Sequence, residues 1–482
     1  MPAGPRRHHG APRPLGAGDR VVRVPRRVSM NLQVDTTLAR RGPFRPGLIL
    51  ITAFASLIFL GTVLLALPLS LADGQEPDLL VALFTATSAV CVTGLTVVST
   101  HDHWSLFGQI VILTLIQTGA LGFIVGAIVI FSLAGRRTST RERLMFGQHI
   151  GRGEPGGLKG LFWRIAIFTL LLQGVGAVLL FLRVRGDSAV ENPHWWSIFH
   201  AVSAFTNAGF DVEPGSASFA RLVDDPTTVG ILSGLAIAGA IGFMVIFDVM
   251  RRRLWRRLGL ESRIVLTAMP ALLIAGFLLL LVLSPDFGGG VPEDDFGLRA
   301  NAALNHSVWR TTGFSTIDMG RLHTDALIVL IVLMFIGGAS AAVTGGITVN
   351  TFSVLFIAMV SHIRGRRFPE AFGRRIAQHS VMRAIAVVGL SGVAVLLATV
   401  LMSIAERGSD TVLSNLLFEA VSAFAVVGYS TGITADLTVA SKLVLIGTMF
   451  VGRLGALTLA QALVTREHQP AVRYPEEAIK VG

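Results

Sequence analysis

Four glycines, Gly94, Gly209, Gly313 and Gly428, each close a short phrase that recurs between long apolar stretches of the chain. In order the phrases read Phe84-TATSAVCVT-Gly94-Leu95, Phe199-HAVSAFTNA-Gly209-Phe210, Ala303-LNHSVWRTT-Gly313-Phe314 and Phe418-EAVSAFAVV-Gly428-Tyr429. Glycine adopts dihedral angles that turn its carbonyl toward an axis without a side-chain clash. Carbonyls stacked from four such strands replace the water shell of a bare monovalent cation. The chemistry this predicts is coordination, not catalysis. The candidate ion-binding residues are Thr93, Gly94, Asn207, Gly209, Thr312, Gly313, Val427 and Gly428, with the ion at the four glycines.

The glycines lie 115, 104 and 115 residues apart, the mark of one structural unit used four times. A serine stands six residues before each: Ser88, Ser203, Ser307 and Ser422. These hydroxyls are expected to bond back to their own helices. Each phrase is too short to cross about 30 Å of hydrocarbon yet apolar enough to enter it, so it reads as a short re-entrant helix. Non-helical backbone at that depth is tolerated only where it is buried in protein or lines a water-filled cavity.

Apolar runs of spanning length begin near Gly47, Leu106, Leu161, Thr228, Ile264, Ala326, Val381 and Ser441, giving eight spans in four pairs around the phrases. With 52% hydrophobic and 15% charged residues, a soluble fold is excluded. The expected fold class is an all-α polytopic membrane protein: four pseudosymmetric helix, pore helix, helix repeats around one central cation pore. The expected boundaries are a basic disordered arm over 1–45, repeats over 46–135, 136–250, 251–362 and 363–465, and a cytoplasmic tail over 466–482. Met30 is a candidate start, because nothing upstream of it reads as foldable.

The net charge of +11 does not point to nucleic acid, because the arginines cluster in segments without phrases, such as Arg251 to Arg257 and Arg364 to Arg375. Asp78, Asp187, Asp225 and Asp295 lie instead in the segments that carry the phrases. By the positive-inside bias the termini and arginine loops are cytoplasmic, and the phrases open outward. Cys91 is the only cysteine, so no intrachain disulfide forms.

Two further features stand out. The sixth span is interrupted by Gly337, Gly338, Gly345 and Gly346; at about 1 kcal/mol per glycine relative to alanine this favours an irregular middle. Arg453 stands half-way along the last span, where a charge must face water, an acid or a pore. Arg310 reads as a clamp on the third phrase, with Glu419, Asp211 or a carbonyl as its partner.

The chain resembles the Trk/Ktr/HKT superfamily of potassium transporters, most closely its bacterial KtrB-type membrane subunits. The likeness covers residues 46–465 and rests on Val92-Thr-Gly-Leu95, Asn207-Ala-Gly-Phe-Asp211, Arg310-Thr-Thr-Gly-Phe-Ser-Thr316 and Val427-Gly-Tyr-Ser430. It rests also on Gln117-TGALG-Phe123, Phe335-IGGASAAVTGG-Ile347 and Phe450-VGRLGALT-Leu459. The resemblance implies potassium uptake across the bacterial plasma membrane, with Gly94, Gly209, Gly313 and Gly428 as filter glycines. It implies a gate loop at 337–348 and Arg453 as an electrostatic barrier beneath the filter. Lipid-embedded homodimers on a cytoplasmic ring of nucleotide-binding, KtrA/RCK-type subunits are implied too. Thr348 departs from the lysine usual in relatives. The chain carries neither a G-x-x-x-x-G-K-[ST] sequence nor a Rossmann fingerprint, so no cofactor is expected on it and nucleotide control falls to the partner. Gly94, where sodium-preferring plant relatives have serine, leans toward potassium; a sodium-permeable or sodium-coupled transporter is the alternative. A membrane enzyme or ATPase subunit would need paired carboxylates, a metal cluster or a phosphate loop, and the sequence displays none.

Overall fold

The computed structural model describes residues 46–134, 157–215, 219–285, 287–292, 294–340 and 342–455. The arm over 1–45, the arginines of 136–152, Asp286, Glu293 and everything from 456 onward lie outside the described residues.

The chain begins with α1 (Pro46–Leu65), α2 (Leu79–Cys91), the single turn α3 (Thr100–His103) and α4 (Leu106–Ala134). There follow α5 (Gly157–Val184), α6 (Pro193–Thr206), α7 (Pro226–Ile241) and α8 (Phe243–Arg252). The third group is α9 (Leu260–Leu283), α10 (Phe296–Trp309), α11 (Thr324–Phe335) and α12 (Val349–Ile363). A two-residue hairpin, β1 (Glu370–Ala371) with β2 (Arg374–Arg375), precedes α13 (Gln378–Ala405), α14 (Leu413–Ala425) and α15 (Val439–Leu454). The described fold is helical, as expected.

Four helices, α1, α5, α9 and α13, are long and apolar enough to cross a membrane. Most of their spanning residues face outward from the protein, only 28–33% of each stretch being buried. Glycine interrupts the helices after the second and third phrases, whereas α4, after the first, runs unbroken. α7 and α8 are bent by 88° at Gly242, whose φ is +83°. α11 stops at Phe335 and α12 starts only at Val349, while α15 ends at Gly455 with φ +79°. The irregular stretch between α11 and α12 is therefore as expected; the bend between α7 and α8 is not evident from the sequence.

The short helices α2, α6, α10 and α14 contain the four phrases. Three begin on capped ends: Asp78 accepts from Leu80 N (2.7 Å), Asn192 from Trp195 N (3.1 Å) and Asp295 from Leu298 N (3.0 Å). Such caps satisfy otherwise orphaned donors of the first turn. Asp78, Asp225 and Asp295, which lie in the acidic segments, thus serve as helix caps.

Each short helix packs on a helix that follows the preceding short one in cyclic order: α4 against α6, α7 against α10, α11 against α14, and α15 back against α2. The packing therefore closes on itself. Glycine makes three of the neighbouring contacts possible. A Cβ at Gly119 would lie 2.1 Å from the Val90 carbonyl oxygen, one at Gly239 1.9 Å from that of Phe205, and one at Gly452 1.9 Å from that of Phe424. Val90, Phe205 and Phe424 each stand four residues before a phrase glycine.

Gly119→Ala and Gly452→Ala must push a carbonyl or a helix aside. Overpacking of this kind typically costs about 1–3 kcal/mol. Thermal unfolding of the purified protein should show lowered midpoints for both, whereas Gly122→Ala, whose Cβ meets nothing within 4 Å, should unfold like the parent. Equal behaviour of all three would contradict this packing.

Candidate functional site

The phrase helices converge by their C-terminal ends, where unpaired carbonyls carry partial negative charge. α2, α6 and α14 leave the helix through the same motif. Val92, Asn207 and Val426 adopt left-handed backbone with φ of 60°, 55° and 53°. The next N–H in each returns to a serine carbonyl: Thr93 to Ser88 (2.8 Å), Ala208 to Ser203 (2.8 Å) and Val427 to Ser422 (3.0 Å). This is the Schellman hydrogen-bond pattern. A β-branched residue there is strained by about 1–3 kcal/mol, which persists only where surroundings over-determine it. α10 ends differently: Arg310 stays right-handed, and the N–H groups of Thr312 and Gly313 both donate to Trp309 O at 2.8 Å.

Beyond these ends the four glycines form a closed ring. Gly94, Gly209, Gly313 and Gly428 have φ of +89°, +71°, +81° and +98°. A Cβ on Gly94 would lie 2.4 Å from Ala208 O, on Gly209 2.3 Å from Thr312 O, on Gly313 2.2 Å from Val427 O, and on Gly428 2.3 Å from Thr93 O. Each glycine thus abuts the carbonyl preceding the next glycine, in cyclic order. Conformation and space both demand glycine at all four positions.

Of the eight expected ion-binding residues, the ring brings together the four glycines with Thr93, Thr312 and Val427. Asn207 stands one residue out of register, and Ala208 occupies the matching place. The Asn207 side chain instead makes cross-links: its Oδ1 accepts from Thr311 Oγ1 (3.0 Å) and Thr312 Oγ1 (2.7 Å), and its Nδ2 donates to Ala236 O (3.1 Å). It fastens the second loop to the third and to α7.

The four serines do not bond back to their own helices. Ser88 and Ser422 Oγ accept from the N–H of Gly94 and Gly428, each at 3.1 Å, while Ser203 Oγ donates to Phe210 O (2.6 Å) and Ser307 Oγ to Leu273 O in α9 (2.7 Å). The six-residue spacing carried that signal. Two buried groups missed as loop supports stand nine residues before their glycines. His200 Nε2 accepts from Val212 N (3.2 Å), and Glu419 accepts from Thr431 N (3.0 Å), Ser430 Oγ (2.6 Å) and Thr434 Oγ1 (3.0 Å). Val212 and Thr431 each follow their glycine by three, so one contact recurs with different chemistry. His306 holds the third loop through Ser315 Oγ at 3.2 Å. Beyond the second glycine, Glu213 accepts from Trp196 Nε1 and from Arg221, which also reaches Asp187 at 2.7 Å. The Ala189 N–H and then Arg221 hold the Asp187 carboxyl below the usual carboxylate range despite partial desolvation.

The expected gate segment lies between α11 and α12. Its ends are tied by a parallel bridge between Ile336 and Ile347, with Gly337 N donating to Ile347 O (2.8 Å) and Ile347 N to Phe335 O (3.2 Å). Gly345 packs so closely on Val426 that a Cβ would lie 1.8 Å from its methyl, and Gly346 (φ +73°) lies beside Ala425. Gly338 N donates to Thr344 Oγ1 at 2.9 Å. Thr348, in place of the lysine of relatives, caps α12 by accepting from Thr351 N (3.3 Å).

Both buried arginines end on backbone carbonyls. Arg453 Nη1 donates to Val343 O inside the segment, and Nη2 to Gly119 O (3.3 Å). Arg310 Nη1 donates to Leu333 O (2.9 Å) and Ile336 O where α11 stops. Of the three partners open for Arg310, the bonds are to carbonyls, while Glu419 is engaged by its own loop.

The model of the TrkH family, described as cation transport protein, matches residues 45–286 and 291–472. A protein named potassium/sodium uptake protein NtpJ, from Enterococcus hirae, is 36% identical over 91% of this chain and 97% of its own. Proteins named Ktr system potassium uptake protein B are 34% identical in Vibrio alginolyticus (90% of this chain, 94% of that one) and 33% in Bacillus subtilis (94% and 100%). The crystal structure of the potassium transporter TrkH from Vibrio parahaemolyticus superposes with a TM-score of 0.69 at 20% identity, over 88% of this chain and 86% of that one.

Glu419→Ala should lower stability by about 1–3 kcal/mol, because it strands buried donors. Glu419→Gln keeps an accepting oxygen and should cost clearly less. Thermal unfolding in detergent measures both, and equal losses would contradict the acceptor role.

Proposed function

The chain belongs to the TrkH family of cation transport proteins, and on that premise we propose that it takes up potassium across the bacterial plasma membrane through the ring of Gly94, Gly209, Gly313 and Gly428. It is a multi-pass membrane protein of a transporter family and not an enzyme. The observation that carries the proposal is the cyclic contact of each glycine with the carbonyl before the next, supported by the relatives named for potassium uptake. Four loops meeting backbone to backbone offer carbonyl oxygens to a dehydrated cation. The membrane potential then drives entry, at about 2.3 kcal/mol per charge per 100 mV.

In this proposal the path runs through four helix, short helix, helix units with eight crossings, and both termini are cytoplasmic. α7 with α8, and α11 with α12, each count as one interrupted crossing. The unit boundaries are those read from the sequence, with the gate at 337–348. Arg453 holds that gate through Val343 and sets a positive charge beside the path. Relatives named as part of a Ktr system support assembly with further components. We propose a homodimer on a cytoplasmic nucleotide-binding ring of KtrA/RCK type, with no cofactor on this chain itself.

A second reading, sodium permeation or coupling, draws on the relative named for potassium and sodium uptake and on the unequal loops. Asn207 bonds Thr311 and Thr312 on one side only, so the ring is not fourfold in its support. Rubidium uptake into proteoliposomes, with excess external sodium as competitor, separates the two readings. Potassium selectivity predicts uptake that resists sodium. Gly313→Ser should shift the rubidium-to-sodium preference by about tenfold, equivalent to about 1.4 kcal/mol, because its side chain meets Val427 O. Arg453→Gln should raise ion leak. Unchanged preference in the first variant would refute the ring as the path, and unchanged leak in the second would refute the barrier.

A further inference from the structure

An apolar cleft of about 700 Å³ opens on the outer face between α11, α12, α13 and α14, and its floor is the bridge at the break in α11. Ile336 and Ile347, which form that bridge, line the cleft together with Val421 of α14, and all three are buried. The rim consists of Val332, Phe356 and Leu396, each more than half exposed. Phe352 and Phe356 stack along one wall with ring centroids 6.3 Å apart.

We propose that this cleft is a binding site for one acyl chain of a membrane lipid, and that the chain packs on the Ile336–Ile347 bridge and so bears on the proposed gate. The coupling half rests on the function proposed above; the binding half does not. The cleft opens outward through exposed apolar side chains and is large enough to take a stretch of acyl chain. Its lining has no charged side chain, which disfavours water and headgroups, since a water needs two to four polar partners. The exposed rim is continuous with α13, one of the four spanning helices, 72% of whose spanning stretch is unburied. The medium against that rim is lipid hydrocarbon. Gly392 of α13 lines the cleft at an exposed position where a Cβ meets nothing within 4 Å.

The same position provides the test. Gly392→Phe directs a ring into the cleft from a helical site with open space around it, so the fold should survive. The full chain, reconstituted in phosphatidylethanolamine and phosphatidylglycerol vesicles doped with a diazirine-tailed phospholipid, would be photolabelled and its peptides sequenced by mass spectrometry. The proposal predicts label on the floor residues Ile336 and Ile347 and several-fold loss of that label in Gly392→Phe, with label on the outer face of α5 unchanged. Label confined to the rim would overturn it, since lipid then only coats the surface. Absence of label from rim and floor alike would also overturn it, showing a second protein copy over the cleft. Rubidium uptake by Gly392→Phe is expected to change from the parent rate. Lost floor label with an unchanged rate would overturn the coupling to the gate while leaving the site. Labelling is read without transport, so its failure and failure of the conduction reading are distinguishable.

Discussion

Everything near the centre of this molecule follows from one steric constraint: at four places the backbone of one loop meets the backbone of the next with no room for a side chain. Gly94, Gly209, Gly313 and Gly428 each abut a carbonyl oxygen at a distance that a Cβ could not tolerate. The ring closes only if every loop arrives at the right height and angle. The short helices set the height, their C-terminal turns set the angle, and Gly119, Gly239 and Gly452 let the neighbouring helices come close enough to hold them. Strained left-handed residues such as Val92 and Val426 survive because this packing leaves them no alternative.

The four loops share a path but not their support. Glu419 collects three donors behind the fourth loop, His200 one behind the second, and His306 reaches the third through a serine. The third loop also lacks the left-handed turn, and Arg310 ties it to the point where α11 ends. That end is where the expected gate begins. One buried guanidinium therefore connects the third loop to the broken helix, and a second, Arg453, connects the broken segment to α4. The physical link between ring and break runs through Arg310, which donates to the carbonyls of Leu333 and Ile336 where α11 stops.

Much of this was legible in the sequence, because a repeat with fixed spacing is hard to mistake. The phrase glycines come together and the stretch between α11 and α12 is irregular, as spacing and composition suggested, whereas Arg453, expected to face water, an acid or a pore, ends on the carbonyls of Val343 and Gly119. The register of the second loop was not legible: Asn207 looks like a ring residue by its chemistry, whereas counting back from Gly209 selects Ala208. The serines depart from expectation because local back-bonding is the usual fate of a helical hydroxyl, and here loop N–H groups claim Ser88 and Ser422 while non-local carbonyls claim Ser203 and Ser307. The bend at Gly242 is hidden in the sequence because Gly234, Gly239 and Gly242 recur along one apolar run, where glycines more often mark close packing. Acidic residues such as Asp78 and Asp295 look like cation attractors, and their capping bonds appear only once helix starts are fixed.

The central claim is that the four-glycine ring is the cation path. The most direct test is anomalous diffraction from crystals of the full chain grown in rubidium or thallium, collected at the absorption edge of the ion. The account predicts anomalous density on the axis of the ring, within coordination distance of carbonyls at Gly94, Gly209, Gly313 and Gly428. Ordered density elsewhere in the protein, with none inside the ring, would contradict it.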